Sequence, residues 1–353
     1  SMESLSKLEG IAIFETDHIL RTSKEALLEA REKRARPIVD EKIITGWNGL
    51  MITALSSGYM VLHGKSYLNA ANRAAEFLWE NMWAENGCLL RIYKNGESKI
   101  NGCLEDYSYF LEGLITLYEA SFNILWIERA KHLADKMIDE FYDHNEGGFF
   151  ITGHSSEALI VRLKNAADEA IPSANAIAIQ SLIKLSHLTG IKAYLSIAEK
   201  SVHSFKQLIE KNPAAYAGIL AGADFLSSSI TEVIFSGSYT HHAFGDMRDA
   251  LYQDYRPNKI VLWSENKNVL KQLPLAKGKT SVDSTPVIFL CQNGTCYPPV
   301  KTGKALIDLL ESPPEIRLNI FNYEKQIENT QKEEQGKFLG VMDQIFKHSG
   351  LKK

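Results

Sequence analysis

Two adjacent carboxylates, Glu105 and Asp106, are the residues of this sequence best suited by type and spacing to move protons. Neighbouring carboxylates resist ionising together, which raises the pKa of one of them and fits it for general acid–base work. Asp168 is a third candidate acid. Arg162 and Lys164 stand two residues apart in a segment with a strand pattern, so both side chains point to one face. There they can orient a substrate, or join the acids in a plain salt-bridge network. Trp47 and Tyr107 can stack on sugar rings, although aromatic residues on inner helices more often fill a core. Asn48, Ser173 and Asn175 complete the polar set, with helix capping as the competing role for Asn48, Ser173 and Asp106.

Other chemistries lack their signatures. Neither a GxSxG nor an HExxH motif is present, and the residues after Gly237 fit no dinucleotide- or phosphate-binding glycine pattern. No metal or other cofactor is therefore expected. Cys291 and Cys296 are separated by four residues, wider than the usual zinc or redox pair. With Cys88 and Cys103 they are expected as structural or incidental thiols, with a redox pair and a metal site as alternatives. The N-terminus has no basic run followed by an apolar segment, so a cytoplasmic protein with reduced thiols is the expectation.

The elements that must position these residues form a repeat. Three segments share one helical pattern, starting at Tyr67, Trp126 and Tyr194, each with an alanine four residues on (Ala71, Ala130, Ala198). A more apolar helix precedes each one, marked by Leu55, Leu114 and Leu182. The apolar helices read as an inner layer and the charged ones as an outer layer. Two connectors are long: residues 87–102, with Asn95-Gly96 as a hairpin turn, and residues 147–164, which pattern as two short strands. Further helices are expected over 17–34 and 213–229.

Stacked hairpins of this kind predict a mainly α fold, an (α/α) hairpin toroid with fewer than the six hairpins of a full ring. The candidate residues fall at the starts of the inner helices, and Asn48, Tyr107 and Asn175 occupy equivalent places in the repeat. In a ring they would face one another across its mouth. After residue 230 the pattern changes to short β-branched runs around a helix, a βαβ-type α/β segment over 231–312. Residues 313–353 read as a charged tail.

The chain has 353 residues, 45% of them hydrophobic, which is ample for a core. No stretch reaches the roughly 18 apolar residues a membrane helix needs. A net charge of −4 argues against nucleic acid or an acidic membrane surface as partner.

Four blocks carry a family resemblance: DEKIITGWNGLMI (40–52), LEDYSYFLEGLITLYEASF (104–122), LIVRLKNAADEAIPSANA (159–176) and CQNGTCYPPV (291–300). They resemble the thioredoxin-domain-containing, spermatogenesis-associated family. Its members join a thioredoxin-like domain to an N-acylglucosamine 2-epimerase-like, six-hairpin toroid. The resemblance runs from about Leu27 to Leu310 and implies that this chain matches the C-terminal half of such a protein. The family's D-G-A-x-P-S-G-N-S block departs here at Glu169 and Ala174, which replace glycines, and no histidine matches the proton-moving histidines of the sugar 2-epimerases.

The resulting expectation is a carbohydrate-active protein, epimerase- or isomerase-like or glycosidase-like, acting on a small sugar or glycan through Glu105, Asp106 and Asp168. The alternatives are a non-catalytic glycan- or protein-binding scaffold, and a redox-linked accessory. A homo-dimer or a thioredoxin-like partner is the assembly either would use.

Overall fold

The computed structural model describes residues 1–311 except 158, 265–268, 270–271, 282–283 and 293. The expected charged tail over 313–353 lies outside the described residues. The chain divides into two compact units, Ser1–Lys42 and Ile43–Lys353. The first is a helix pair, α1 (Met2–Glu9) and α2 (Ile13–Glu32), turned at Gly10, whose positive φ of 68° ends α1.

In the second unit the repeat is present as three helical hairpins. Helices α3 (Thr45–Leu62), α5 (Leu104–Ser121) and α7 (Ala174–Thr189) form the inner layer. Helices α4 (Lys65–Asn81), α6 (Leu125–Phe141) and α8 (Lys192–Ser204) form the outer one. After a short helix α9 (Lys206–Lys211) and a 3₁₀ turn, α10 (Ala217–Ser227) packs on α7 as a fourth inner helix. Inner helices pack on inner helices in the order α3, α5, α7, α10, which is the arrangement of an incomplete (α/α) toroid. The repeated alanines sit where each outer helix meets the inner layer: Ala71, Ala130 and Ala198 are all fully buried.

Small residues set the spacing of the inner layer. A Cβ on Gly49 would come within 2.6 Å of the α5 backbone at Tyr109 and Phe110, and one on Gly113 would meet the Gly49 carbonyl at 2.9 Å. Only glycine allows α3 and α5 to approach this closely. His63 and Phe122 close α3 and α5 in the left-handed conformation, and Gly190 closes α7.

The connector over 87–102 is a hairpin as expected. Strands β1 (Ile43–Ile44), β2 (Leu90–Lys94) and β3 (Glu97–Asn101) pair antiparallel, with Asn95 and Gly96 both at positive φ in the turn. The connector over 147–164 is not two strands. It is irregular backbone tied down by an isolated bridge, Tyr142 to Phe149, and by the Ile151 N–H donating to the Leu163 carbonyl. Two adjacent glycines at positive φ, Gly147 and Gly148, break the extended run.

From Thr231 the chain forms a four-stranded sheet ordered β5-β4-β6-β7, with β4 Thr231–Ser236, β5 Lys259–Trp263, β6 Val287–Gln292 and β7 Thr295–Cys296. Strands β4 and β5 are parallel and joined through α11 (His242–Tyr252), the expected βαβ unit; β6 and β7 run antiparallel, so the sheet is mixed. Val233, Phe235 and Val261 point into a small core with α11 and the helix Gly303–Glu311. The alternate residues Ile234, Ile260 and Leu262 join the core of the helical arc. Both faces of the sheet are therefore covered. Cys291 and Cys296, expected as structural or incidental thiols with a redox pair or a metal site as alternatives, stand opposite each other in the β6–β7 pair and are joined by a disulfide. No helix among the described residues is long and apolar enough to cross a membrane.

Candidate functional site

Trp47, Asn48, Glu105, Asp106, Tyr107, Ser173 and Asn175 lie at the starts of the inner helices, and most of their polar atoms are occupied in building those starts. Asp106 is fully buried. Its Oδ1 accepts the Gly46 N–H of α3 at 2.9 Å, and its Oδ2 accepts the Cys103 N–H at 3.0 Å and Arg91 Nη1 at 2.8 Å. One carboxylate thus caps α5 and holds the first turn of α3 against it. Burial raises its carboxyl above the usual value, against Arg91 and the two backbone N–H groups. Glu105, partly exposed, lies on the other side of Arg91, Oε2 to Nη2 3.2 Å. Burial beside these acids pushes the Cys103 thiol up to about 12, so it stays an unreactive SH.

Asp168 does for α10 what Asp106 does for α3. Its Oδ2 accepts the Gly218 N–H at 2.7 Å and its Oδ1 accepts the Ser173 N–H at 3.0 Å. Ser173 caps α7 through the Ala176 N–H. The repeat position shared by Asn48, Tyr107 and Asn175 is architectural in two of its three copies. The Tyr107 hydroxyl accepts the Leu89 N–H at 2.7 Å, and Asn175 exchanges two hydrogen bonds with Phe149, 2.8 and 3.0 Å. Leu89 and Phe149 are equivalent, each bridged back to the end of its outer helix at Trp83 and Tyr142. Each pair therefore ties a long connector to the inner helix that follows it. Asn48 donates to the Ile44 carbonyl one turn back.

Arg162 and Lys164 do share a face, both stacked over the Phe150 ring at 4.3 and 5.1 Å. Their partners are not the mouth acids. Arg162 donates to the Thr152 and Glu140 carbonyls, and Lys164 pairs with Asp143 at 2.5 Å and donates to the Gly147 carbonyl. Trp47 is 60% exposed. A cavity of about 70 Å³ does bring Glu105, Tyr109 and Ser173 together. Its volume is well below the roughly 300–1,000 Å³ of ordinary ligand sites.

A larger cavity lies on the inner faces of the helices, where sequence reasoning placed no site. A cleft of about 420 Å³ is lined by Thr53 of α3, Glu112, Thr116 and Glu119 of α5, Lys184 of α7, and residues of the segment from Tyr252 to Lys259. A second chamber of about 170 Å³ shares Glu112, Thr116 and Lys184 and extends to Gln180 and Ala221. Burial raises the Glu112 carboxyl above its ordinary value, against Lys184 and a hydrogen bond with Thr53. Lys184 Nζ binds Glu119 Oε2 at 3.1 Å, and Glu119 Oε1 accepts the Val261 N–H of β5. Acceptors and donors thus alternate along one wall. The sequence signal was present: Glu112, Glu119 and Lys184 are charges within the apolar bodies of α5 and α7, and buried charges need partners or a purpose.

One group of described residues has metal-ligand chemistry: ligand atoms of Asp139, Glu140 and His154 lie within 4.8 Å of one another. Glu140, however, already accepts both the N–H and the hydroxyl of Ser155, at 3.1 and 2.7 Å, which fixes the 153–155 turn.

No family model matches the chain. Spermatogenesis-associated protein 20 of Homo sapiens is 26% identical over 323 residues, covering 88% of this chain and 41% of that protein. Among solved structures, the cellobiose 2-epimerase of Bacillus thermoamylovorans overlays with a TM-score of 0.44 and 12% identity, covering 54% of this chain and 55% of that one. A GH76 α-mannanase of Bacteroides thetaiotaomicron gives 0.41 and 14%, covering 55% and 61%. Along 88% of its length the chain resembles the spermatogenesis-associated protein 20 relatives, and it spans about two fifths of theirs.

Proposed function

We propose that the inner-face cavity binds a small polyhydroxylated ligand of sugar size and that Glu112 exchanges a proton with it. The carrying observation is the Glu112–Lys184–Glu119 row along a cavity of about 420 Å³, within the size range of small-molecule sites. Each sugar hydroxyl both donates and accepts, so it suits a wall where carboxylates, an ammonium and the hydroxyls of Thr53 and Thr116 alternate. Burial raises this carboxyl above its ordinary value, the direction that suits a general acid or base. This moves the acid–base role from Glu105, Asp106 and Asp168 to α5's inner face, because Asp106 and Asp168 spend their oxygens on backbone N–H groups. The same observation favours, as a second reading, a mouth that is purely architectural and a cavity that binds without reacting.

The test is proton exchange at the ring carbons of free and N-acylated sugars in deuterated water, followed by NMR. Exchange is expected, abolished in Glu112→Gln and retained in folded Asp168→Asn. Binding by calorimetry without exchange would leave the binding reading alone standing. Exchange that survives Glu112→Gln would refute the proposed role.

A further inference from the structure

Three acids, Glu112, Glu119 and Asp254, and three bases, Lys184, Arg256 and Lys259, line this cavity, and they are unevenly paired. Lys184 is held by Glu119 at 3.1 Å. The second oxygen of Glu119 accepts the Val261 N–H, so both of its oxygens are engaged away from Lys259. Arg256 has Asp254 at 3.6 Å, a mostly exposed residue two positions away in the same turn. Lys259 is different. Its Nζ donates to the Arg256 carbonyl at 2.8 Å and lies 5.0 Å from the centre of the Tyr252 ring. Among the described residues no carboxylate oxygen comes within 4.0 Å of it. A partly buried ammonium without its own counter-ion is costly to keep charged. Burial first, then Lys184 and Arg256, accordingly hold the Lys259 amine below its ordinary value, against the pull of Glu119.

Resting on the cavity reading above, we infer that the ligand carries an anionic group, a phosphate ester or a carboxylate, seated against Lys259 and Arg256 while its hydroxyls meet Glu112 and Lys184. Lys259 and Arg256 both belong to the 252–259 segment, which lines the cavity together with Glu112, Thr116 and Lys184, and Tyr255 and Pro257 of that segment continue with those three into the second chamber. An anion beside Lys259 supplies the counter-charge that its Arg256 carbonyl contact does not, and charge-assisted hydrogen bonds of this type are the stronger kind. A neutral sugar supplies none. The site therefore discriminates among sugars by charge before it discriminates by stereochemistry.

Calorimetry on the intact chain with glucose 6-phosphate, glucuronate and glucose at low and high salt tests this. One or both anionic sugars should bind at least about tenfold more tightly than glucose, a ratio worth roughly 1.4 kcal/mol, and the ratio should shrink as salt is added. The two anionic arms separate ester from carboxylate. Lys259→Met should bring the anionic-to-neutral ratio towards one. Arg256→Gln, which leaves in place the backbone carbonyl that Lys259 uses, should lower it independently. Equal affinity for charged and neutral sugars would overturn the inference and leave the cavity reading intact. Anionic preference indifferent to both substitutions would place the anion elsewhere and overturn it too. No binding of any of the three would remove the inference together with the reading on which it rests.

Discussion

At the scale of single residues, the carboxylates of this protein divide by what already occupies their oxygens. Asp106 meets two backbone N–H groups and Arg91. Removing it leaves two buried donors unpaired and a partly buried guanidinium with only Glu105, so Asp106→Ala should cost roughly 3 kcal/mol or more in urea unfolding. A loss below about 1 kcal/mol would mean that the carboxylate is dispensable to the fold and free for chemistry. Glu140 and Asp143 give a pH dependence. Burial works to raise both, but Ser155 on Glu140, and Lys164 with the Asn145 and Glu146 N–H groups on Asp143, outweigh it, so both titrate below their ordinary values. A depressed folded value means stabilisation present above the unfolded pKa and lost as pH falls through the folded one. The 143–164 connector should accordingly loosen as pH drops below about 4.5, Glu140's ordinary value. The Ser155 amide resonance should report this, and Glu140→Gln should abolish its shift. An unchanged titration in that variant would transfer the effect to Asp143.

At the scale of elements, α3 and α5 are held at a distance set by glycine. Gly49→Ala places a methyl within 2.6 Å of the α5 backbone, which cannot yield as a side-chain tip can. Destabilisation of about 1–3 kcal/mol or more is expected, measured by thermal or urea unfolding; a neutral effect would show that the helices can part without loss. This contact also shows what was legible beforehand. The three hairpins were readable because a repeat writes the same pattern several times, and Ala71, Ala130 and Ala198 proved to be its buried contacts. The place where the candidate residues gather was readable for the same reason. Their roles were not, because Asp106, Asp168 and Asn175 act on backbone groups of Gly46, Gly218 and Phe149, between 26 and 60 positions away. A side chain that binds backbone leaves no partner residue type to look for. The 147–164 connector misled for a related reason: its alternation is that of a strand, yet Gly147 and Gly148 turn the chain out of any ladder.

At the scale of the whole second unit, the helical arc and the mixed sheet meet at Phe122. Its ring contacts Tyr118 of α5 on one side and Phe235, Phe244 and Trp263 on the other, at centroid separations of 5.9 to 6.4 Å. It also ends α5 with a φ of 55°, so the residue that stops the helix is the one that carries its apolar surface into the sheet's core. The cavity depends on this junction, because it is lined both by α3, α5 and α7 of the arc and by the segment leading into β5 of the sheet. Arc and sheet should therefore unfold as one cooperative body, with amides at Ile115 and Phe235 sharing the same urea dependence of hydrogen exchange. Phe122→Ala removes a partly buried aromatic contact and should cost about 2–4 kcal/mol. The loss should fall unequally, the Phe235 amide exchanging through a smaller opening than Ile115. Ligand affinity should weaken in parallel, since arc and sheet are then free to separate. Equal loss at both amides, or undiminished affinity in the variant, would mean that Glu119 and the Val261 N–H hold arc and sheet together without the aromatic junction.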